Sequence, residues 1–288
     1  MAQPAHTAQT GPTGHTAVRL HCFAHAGAGD SAFRRWRRAV GSGVEAVSWP
    51  LPGRDRRRRE PRITTREELL ADLKPLFEQL ADEPDVPYVL YGHSLGGTVA
   101  YTVARALAEA RLPQPALVAI GACPPPDAPA ALAGAAGLPD AELLAVLERY
   151  GAAPPGAEPG DLWHRMVLPV LRDDLHLALD LRTAAEEPLA VPLLAVNGTE
   201  DRLADAAALA GWQRWTTGRV VRRTLPGGHF FVRGPELPRL LGRAARTAAR
   251  IAARGRHTDG IDTTNGIHSR NSIDTTNGID STDRGEGR

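Results

Sequence analysis

A serine hydroxyl is a poor nucleophile at neutral pH unless a base takes its proton and a third group orients that base, so the informative serine is one whose surroundings supply both. Ser94 stands in Gly92-His93-Ser94-Leu95-Gly96, a G-x-S-x-G sequence between the β-forming run Tyr88–Tyr91 and a helical run reaching about Ala110. On such a strand-to-helix turn the nucleophile is strained and lifted above the sheet edge, and bulky neighbours would clash. The plainer alternative is a glycine-rich turn with an N-capping serine. For the base, the downstream chain offers His229 in Leu225-Pro226-Gly227-Gly228-His229-Phe230-Phe231, a loop with no evident structural need for a histidine. His6, His15, His257 and His268 lie in polar, patternless stretches, His164 and His176 in a long insertion, and His21 inside a strand. His93 is on the wrong side of the turn, and His25 precedes Ser94 in the chain. The orienting acid is expected in Asn197-Gly198-Thr199-Glu200-Asp201-Arg202, where Asp201 is the first choice, Glu200 the reserve and Asp127 an outside candidate. Acyl transfer further requires N–H donors for the tetrahedral oxyanion. Leu95 supplies one, and the loop His25-Ala26-Gly27-Ala28-Gly29 the other, from Ala26 with Gly27 in reserve.

Such groups must be held by elements whose order is legible in the pattern. Short β-rich runs at Ala17–Phe23, Val44–Trp49, Tyr88–Tyr91, Leu117–Ile120, Leu193–Val196 and Val220–Leu225 alternate with helical stretches. That alternation predicts an α/β fold, a mostly parallel sheet flanked by helices. Helices are expected near Phe33–Val40, capped by Asp30 or Ser31, from Thr65 to about Leu80 behind a Thr65/Glu68 capping box, near Asp205–Thr217, and near Pro238–Ala253. Residues 124–188 break the rhythm with helical patches at Asp140–Tyr150 and Leu162–Arg182, which reads as an inserted lid whose Leu168, Leu171 and Leu177 shape a chamber over Ser94. Residues 1–16 read as a flexible lead, 17–254 as the catalytic domain, and 255–288, with IDTTNGI repeated at Ile261–Ile267 and Ile273–Ile279, as a disordered low-complexity tail.

Composition removes several classes of function. With 34 basic and 33 acidic side chains in 288 residues the net charge is +1, so no global pull toward nucleic acid or anionic membrane exists. Two cysteines, Cys22 and Cys123, cannot staple a disulfide scaffold and show no metal-ligand spacing. No metal or other cofactor is expected, and neither a signal sequence nor an apolar span is read, which predicts a reducing, cytoplasmic setting.

Taken together, Leu20-His21-Cys22-Phe23-Ala24-His25-Ala26-Gly27-Ala28-Gly29, Leu51-Pro52-Gly53-Arg54, Gly92-His93-Ser94-Leu95-Gly96-Gly97 and Gly227-Gly228-His229-Phe230 resemble the type II thioesterases of polyketide synthase and non-ribosomal peptide synthetase systems, over about residues 17–250. The stretch Leu168-Pro169-Val170-Leu171-Arg172-Asp173-Asp174 looks like the family's cap helix. Ala24 stands where the family usually has Pro, Ala28 where Gly is common, and Arg202 where Pro often follows the acid. The resemblance implies an α/β-hydrolase fold and a free-standing serine thioesterase. Its Ser94, Asp201 and His229 would remove acyl groups from the phosphopantetheine arm of acyl or peptidyl carrier proteins, clearing stalled or wrongly primed assembly lines. Another serine α/β-hydrolase, such as an esterase, an amidase or a cyclising relative acting on small free substrates, is the alternative. Family carriers are acidic, so a local basic surface is expected to meet them. Arg54, Arg56, Arg57, Arg58, Arg59 and Arg62, set in sequence against Asp55 and Glu60, are the densest run, with Arg57 and Arg58 as the contacts.

Overall fold

The computed structural model describes residues 17–265 apart from 130, 131, 133, 152–157, 159 and 183–186, with side chains to Arg254. The lead 1–16 and residues 266–288 of the tail lie outside the described residues. The structure divides into two units, residues 1–249 and 250–288. In the first, β1 (Val18–Phe23), β2 (Val44–Ser48), β3 (Tyr88–His93), β4 (Leu117–Gly121), β5 (Leu193–Gly198) and β6 (Val220–Leu225) form one sheet in the order β2-β1-β3-β4-β5-β6. All five pairings are parallel. A buried parallel sheet needs apolar side chains on both faces. Successive residues divide accordingly. Phe23, Leu90, Val118, Ile120, Leu193 and Ala195 enter one core, while Leu20, Cys22, Val89, Tyr91, Ala119, Leu194 and Val196 enter the other.

Nine α-helices fall among the described residues: α1 (Trp36–Ala39), α2 (Arg66–Asp72), α3 (Lys74–Asp82), α4 (Leu95–Glu109), α5 (Asp140–Arg149), α6 (Leu162–Met166), α7 (Leu168–Asp180), α8 (Ala206–Ala210) and α9 (Glu236–Asn265). The first core takes α2, α3, α4 and α8, and the second takes α1 and the start of α9. Helix α4 is buried along most of its length, as an element lying against the centre of the sheet must be.

Several boundaries depart from the sequence reading for local reasons. The stretch expected as one helix from Thr65 is two, because Pro75 in the first turn of α3 has no N–H to continue the ladder past Leu73. The Thr65/Glu68 capping box is present, with Thr65 accepting from the Glu68 N–H at 3.3 Å and Glu68 from the Thr65 N–H at 3.1 Å. Pro169 likewise separates α6 from α7. Ahead of α1, Asp30–Phe33 is a single 3-10 turn with no side-chain cap, and the Asp30 N–H donates instead to the Asp55 carboxylate at 2.6 Å. Helix α9 continues to Asn265, beyond Gly255 where the composition changes. Extending an existing helix costs far less than nucleating one, so a polar sequence can carry on a turn begun by an apolar one.

Between β4 and β5, helices α5, α6 and α7 and a 3-10 turn at Ala135–Gly137 carry a small apolar cluster of their own, including Leu143, Leu144, Leu147, Leu168, Leu171 and Leu175. Cys22 and Cys123 are buried free thiols. No helix among the described residues is long and apolar enough to cross a membrane.

Candidate active site

In an open parallel sheet the ligand crevice lies at the carboxyl ends of the strands, where the strand order reverses. Here that point falls between β1 and β3, and the loops leaving those two strands carry Ala26 and Ser94. Ser94 has φ 54° and ψ −118°, a left-handed backbone in a non-glycine residue. Its N–H donates to the Gly121 carbonyl at 2.8 Å, tying the turn to β4. The flanking glycines are needed because backbone passes where a side chain would be. A Cβ on Gly92 would fall 1.7 Å from the Gly96 oxygen, and one on Gly96 would fall 2.1 Å from the Phe23 oxygen. Ser94 makes no side-chain cap hydrogen bond to α4, which removes the N-cap alternative.

The loops after β5 and β6 are laced by the Thr199 N–H to the Leu225 carbonyl at 2.9 Å and the Glu200 N–H to the Gly227 carbonyl at 3.0 Å. This lacing brings His229 Nδ1 to 3.1 Å from both carboxylate oxygens of Asp201. Asp201 is buried and also accepts the N–H groups of Leu203 at 2.9 Å and Ala204 at 3.1 Å, which fixes its plane. With Nδ1–H donated to Asp201, Nε2 is left as the acceptor that a hydroxyl proton requires. Glu200 is exposed. Asp127 is engaged elsewhere, by Arg214 and by the Trp215 indole N–H at 2.9 Å.

Two further histidines surround this pair. His93, fully buried, donates from Nε2 to the His229 carbonyl at 2.8 Å and accepts the Tyr91 hydroxyl at Nδ1, 3.0 Å away. Burial, aided by the nearby His25 and His229, drives its pKa well below the usual imidazole value, which suits one donor and one acceptor nitrogen. His25 packs edge-on to His93 and Phe230, and burial followed by the charges of His229 and Arg233 lowers its pKa to about 4. Sequence position alone gave neither residue a role. The signal for His93 was that it occupies the last inward position of a fully buried strand, where a polar side chain needs partners.

Leu95 opens α4, so its N–H is among those a helix leaves without an internal acceptor. The Gly27 N–H, the reserve donor of the β1 loop, is occupied by the Asp174 carboxylate at 2.7 Å, leaving Ala26 as that loop's candidate. Asp174, almost wholly buried on α7, also forms a two-pronged ion pair with the buried Arg54, each contact 2.7 Å, and Arg54 reaches the Ala28 carbonyl at 3.2 Å. Arg54 is therefore no part of a free basic surface. Its signal in sequence was an acid, Asp174, set among the apolar positions Leu171, Leu175 and Leu177 of one helix.

Arg57 was expected to be open as well, but it is bound by Asp72, Glu60 and the Pro50 carbonyl, and Arg62 pairs with Asp173. Asp72 and Asp173 lie outside the run, so reading Asp55 and Glu60 alone overstated its free charge. Arg58 and Arg59 remain exposed and without an ion pair among the described residues.

Ser94, Leu95, Ala26, His25 and His229 line one pocket, whose other walls are Thr98, Ala122, Cys123, Pro124, Leu132, Leu147, Leu171, Leu175, Ala178, Leu179, Arg182, Leu203 and Phe230. Leu171 lies in this wall as expected. Leu168 and Leu177 do not, because their side chains turn into the small cluster of the insertion and into the main core. The lining is mostly apolar, its polar members being the serine and histidines, Thr98 and Arg182.

Residues 18–246 match the family described as thioesterase domain. The chain is 34% identical over 222 residues to thioesterase PikA5 of Streptomyces venezuelae, covering 77% of this chain and 78% of that protein. Among solved structures it is similar to RedJ, the thioesterase of the prodiginine biosynthetic pathway in Streptomyces coelicolor, with TM-score 0.68 and 32% identity over 78% of this chain and 89% of that one. It is also similar to YbtT, the type II thioesterase of the yersiniabactin pathway, with TM-score 0.70 and 25% identity over 80% and 92%.

Proposed function

The chain belongs to the thioesterase family, and from that premise we propose that it hydrolyses acyl thioesters carried on the phosphopantetheine arm of acyl or peptidyl carrier proteins, in an editing role in polyketide or non-ribosomal peptide biosynthesis. The observation that carries this reading is the pairing of His229 with the buried Asp201 in the pocket that also holds Ser94 on its strained turn. Ser94 Oγ attacks the thioester carbonyl while its proton passes to His229 Nε2. Asp201 keeps the imidazolium oriented, and the N–H groups of Leu95 and Ala26 receive the oxyanion. Collapse of the tetrahedral intermediate breaks the C–S bond, and His229 returns the proton to the departing thiol. Water, deprotonated by the same histidine, then attacks the acyl-serine and releases the carboxylic acid. No metal or other cofactor enters any step.

The helical insertion acts as the lid of this chamber, and its leucines receive the acyl chain. Arg58 is the remaining carrier contact of the basic run, Arg57 serving its own loop. With Cys22 and Cys123 buried as thiols, the reducing cytoplasm is the setting. The test compares one acyl group presented on a carrier protein and as a free oxygen ester. Preference for the carrier-bound thioester is expected, and preference for the free ester would move the chain to the alternative of an esterase acting on small molecules.

A further inference from the structure

A second concavity adjoins the acyl pocket and shares Leu203, His229 and Phe230 with it. Three arginines from separate elements line it: Arg149 at the end of α5, Arg202 directly after the acid, and Arg233 past the histidine loop. All three are exposed, and among the described residues none forms an ion pair. The Arg233 guanidinium is held over the Phe230 ring at 4.6 Å, which fixes a cation beside a residue common to both cavities. Glu200 is the one carboxylate in the lining. The concavity thus carries net positive charge at the edge of the catalytic histidine, while the neighbouring pocket is mostly apolar with Arg182 its one arginine, and the proposed triad needs none of the three cations.

We propose that this concavity binds the phosphate of the substrate's phosphopantetheine arm, an inference that rests on the reading given under Proposed function. An arm that delivers its sulfur to Ser94 has to run outward from the pocket, and its phosphodiester is the charged group along its length. Planar guanidinium groups match phosphate oxygens in pairs, so arginines converging on one opening suit this ligand better than the neutral part of the arm. Attraction at this point also guides the arm inward, an effect that weakens with salt.

The test compares an acyl-phosphopantetheine thioester with the same acyl-pantetheine, which lacks only the phosphate, as substrates of the full chain and of an Arg149→Gln/Arg202→Gln double variant, with Arg233→Gln as a separate single change. The wild-type chain is expected to show the lower KM for the phosphorylated substrate. In the double variant that KM rises by about tenfold, with kcat and the pantetheine KM unchanged, as loss of charge-assisted contacts to one group requires. Equal KM values for the two substrates in the wild type, or an equal change on both in the variant, overturn the proposal. Inhibition by an apo-carrier, which has the acidic surface but no arm, should be the same for wild type and variant; if that inhibition alone is lost, the arginines read the carrier surface and the phosphate site is wrong. Absence of thioester hydrolysis altogether would strike the proposed function instead. Calorimetric binding of phosphopantetheine against pantetheine to Ser94→Ala still reads the site in that case, with tighter binding of the phosphorylated compound expected and equal binding overturning the site.

Discussion

At the scale of single residues, the proposed chemistry depends on which groups are placed to move one proton. Ser94→Ala and His229→Ala should each lower turnover by several orders of magnitude, because what remains is the contribution of the oxyanion donors and of binding. Asp201 and Glu200 are adjacent and chemically alike, so their variants discriminate sharply. Asp201 faces His229 from a buried position, whereas Glu200 is exposed. Asp201→Asn should cost about 10⁴-fold in kcat, since an amide favours the wrong imidazole tautomer, and Glu200→Gln should leave kcat within about twofold. The reverse order in steady-state assays would reject the assignment of the acid. The pairing of Asp201 with His229 was legible in sequence because the two residues and Ser94 each follow a strand. The occupation of the Gly27 N–H was not, since the Asp174 that takes it is supplied by a helix of the distant insertion.

At the scale of elements, one side chain joins three of them. Asp174 on α7 holds Arg54 of the loop after β2 and the Gly27 N–H of the loop after β1, so the insertion is coupled to the backbone that presents Ala26. Asp174→Asn leaves a buried guanidinium without its countercharge and should cost roughly 3–5 kcal/mol of stability in denaturant titrations. Replacing both partners, as Arg54→Leu/Asp174→Leu, should recover most of that stability, because an apolar pair carries no desolvation penalty. It should not recover kcat, since the anchor of the loop carrying the proposed Ala26 donor is still missing and misplacement by about 1 Å costs on the order of 100-fold. Recovery of kcat together with stability would show that the pair serves folding alone. Within the same insertion, Leu171 projects into the acyl pocket 3.7 Å from where a Gly27 side chain would begin. Leu171→Trp should therefore shift preference toward shorter acyl chains, and an unchanged profile over a series of chain lengths would remove Leu171 from the chamber wall. Pairings of this kind resist a sequence reading because the partners are more than a hundred positions apart, whereas the capping box at Thr65 and Glu68 spans one helical turn and is plain from the residues themselves.

At the scale of the whole molecule, the alternation of strands and helices and the parallel sheet follow from β-rich runs spaced by helical ones, and all six strands lie within two residues of the boundaries their composition implies. What the pattern could not convey is the state of the histidines, because an imidazole reads alike whether it titrates in solvent or is sealed in a core. His21 is fully buried and His25 half-buried against His93 and Phe230, an enclosure that lowers their pKa values to about 3 and about 4, and His93, fully buried, is driven well below its usual value by the same cause. In the unfolded chain all three titrate near 6.5. Below that pH the unfolded state binds protons that the folded state refuses, so stability rises with pH across this window. The contribution is complete above pH 6.5 and is lost progressively as the pH falls from there toward 4. Each histidine contributes about 1.4 kcal/mol per pH unit where only the unfolded form is protonated, roughly 4 kcal/mol per unit for the three together. Carboxylates held low by arginine, such as Glu83 beside Arg19, lose their stabilising effect only when the pH falls below the ordinary value of 4.5, so the interval from pH 6.5 to 5 isolates the histidines. Calorimetry at half-unit steps should show Tm falling steeply over that interval, with denaturant titrations giving net uptake of two to three protons on unfolding at pH 5. A flat Tm between pH 7 and 5 would mean that these imidazoles reach solvent and protonate in the folded protein, and His93 would then not hold the His229 carbonyl as a neutral donor.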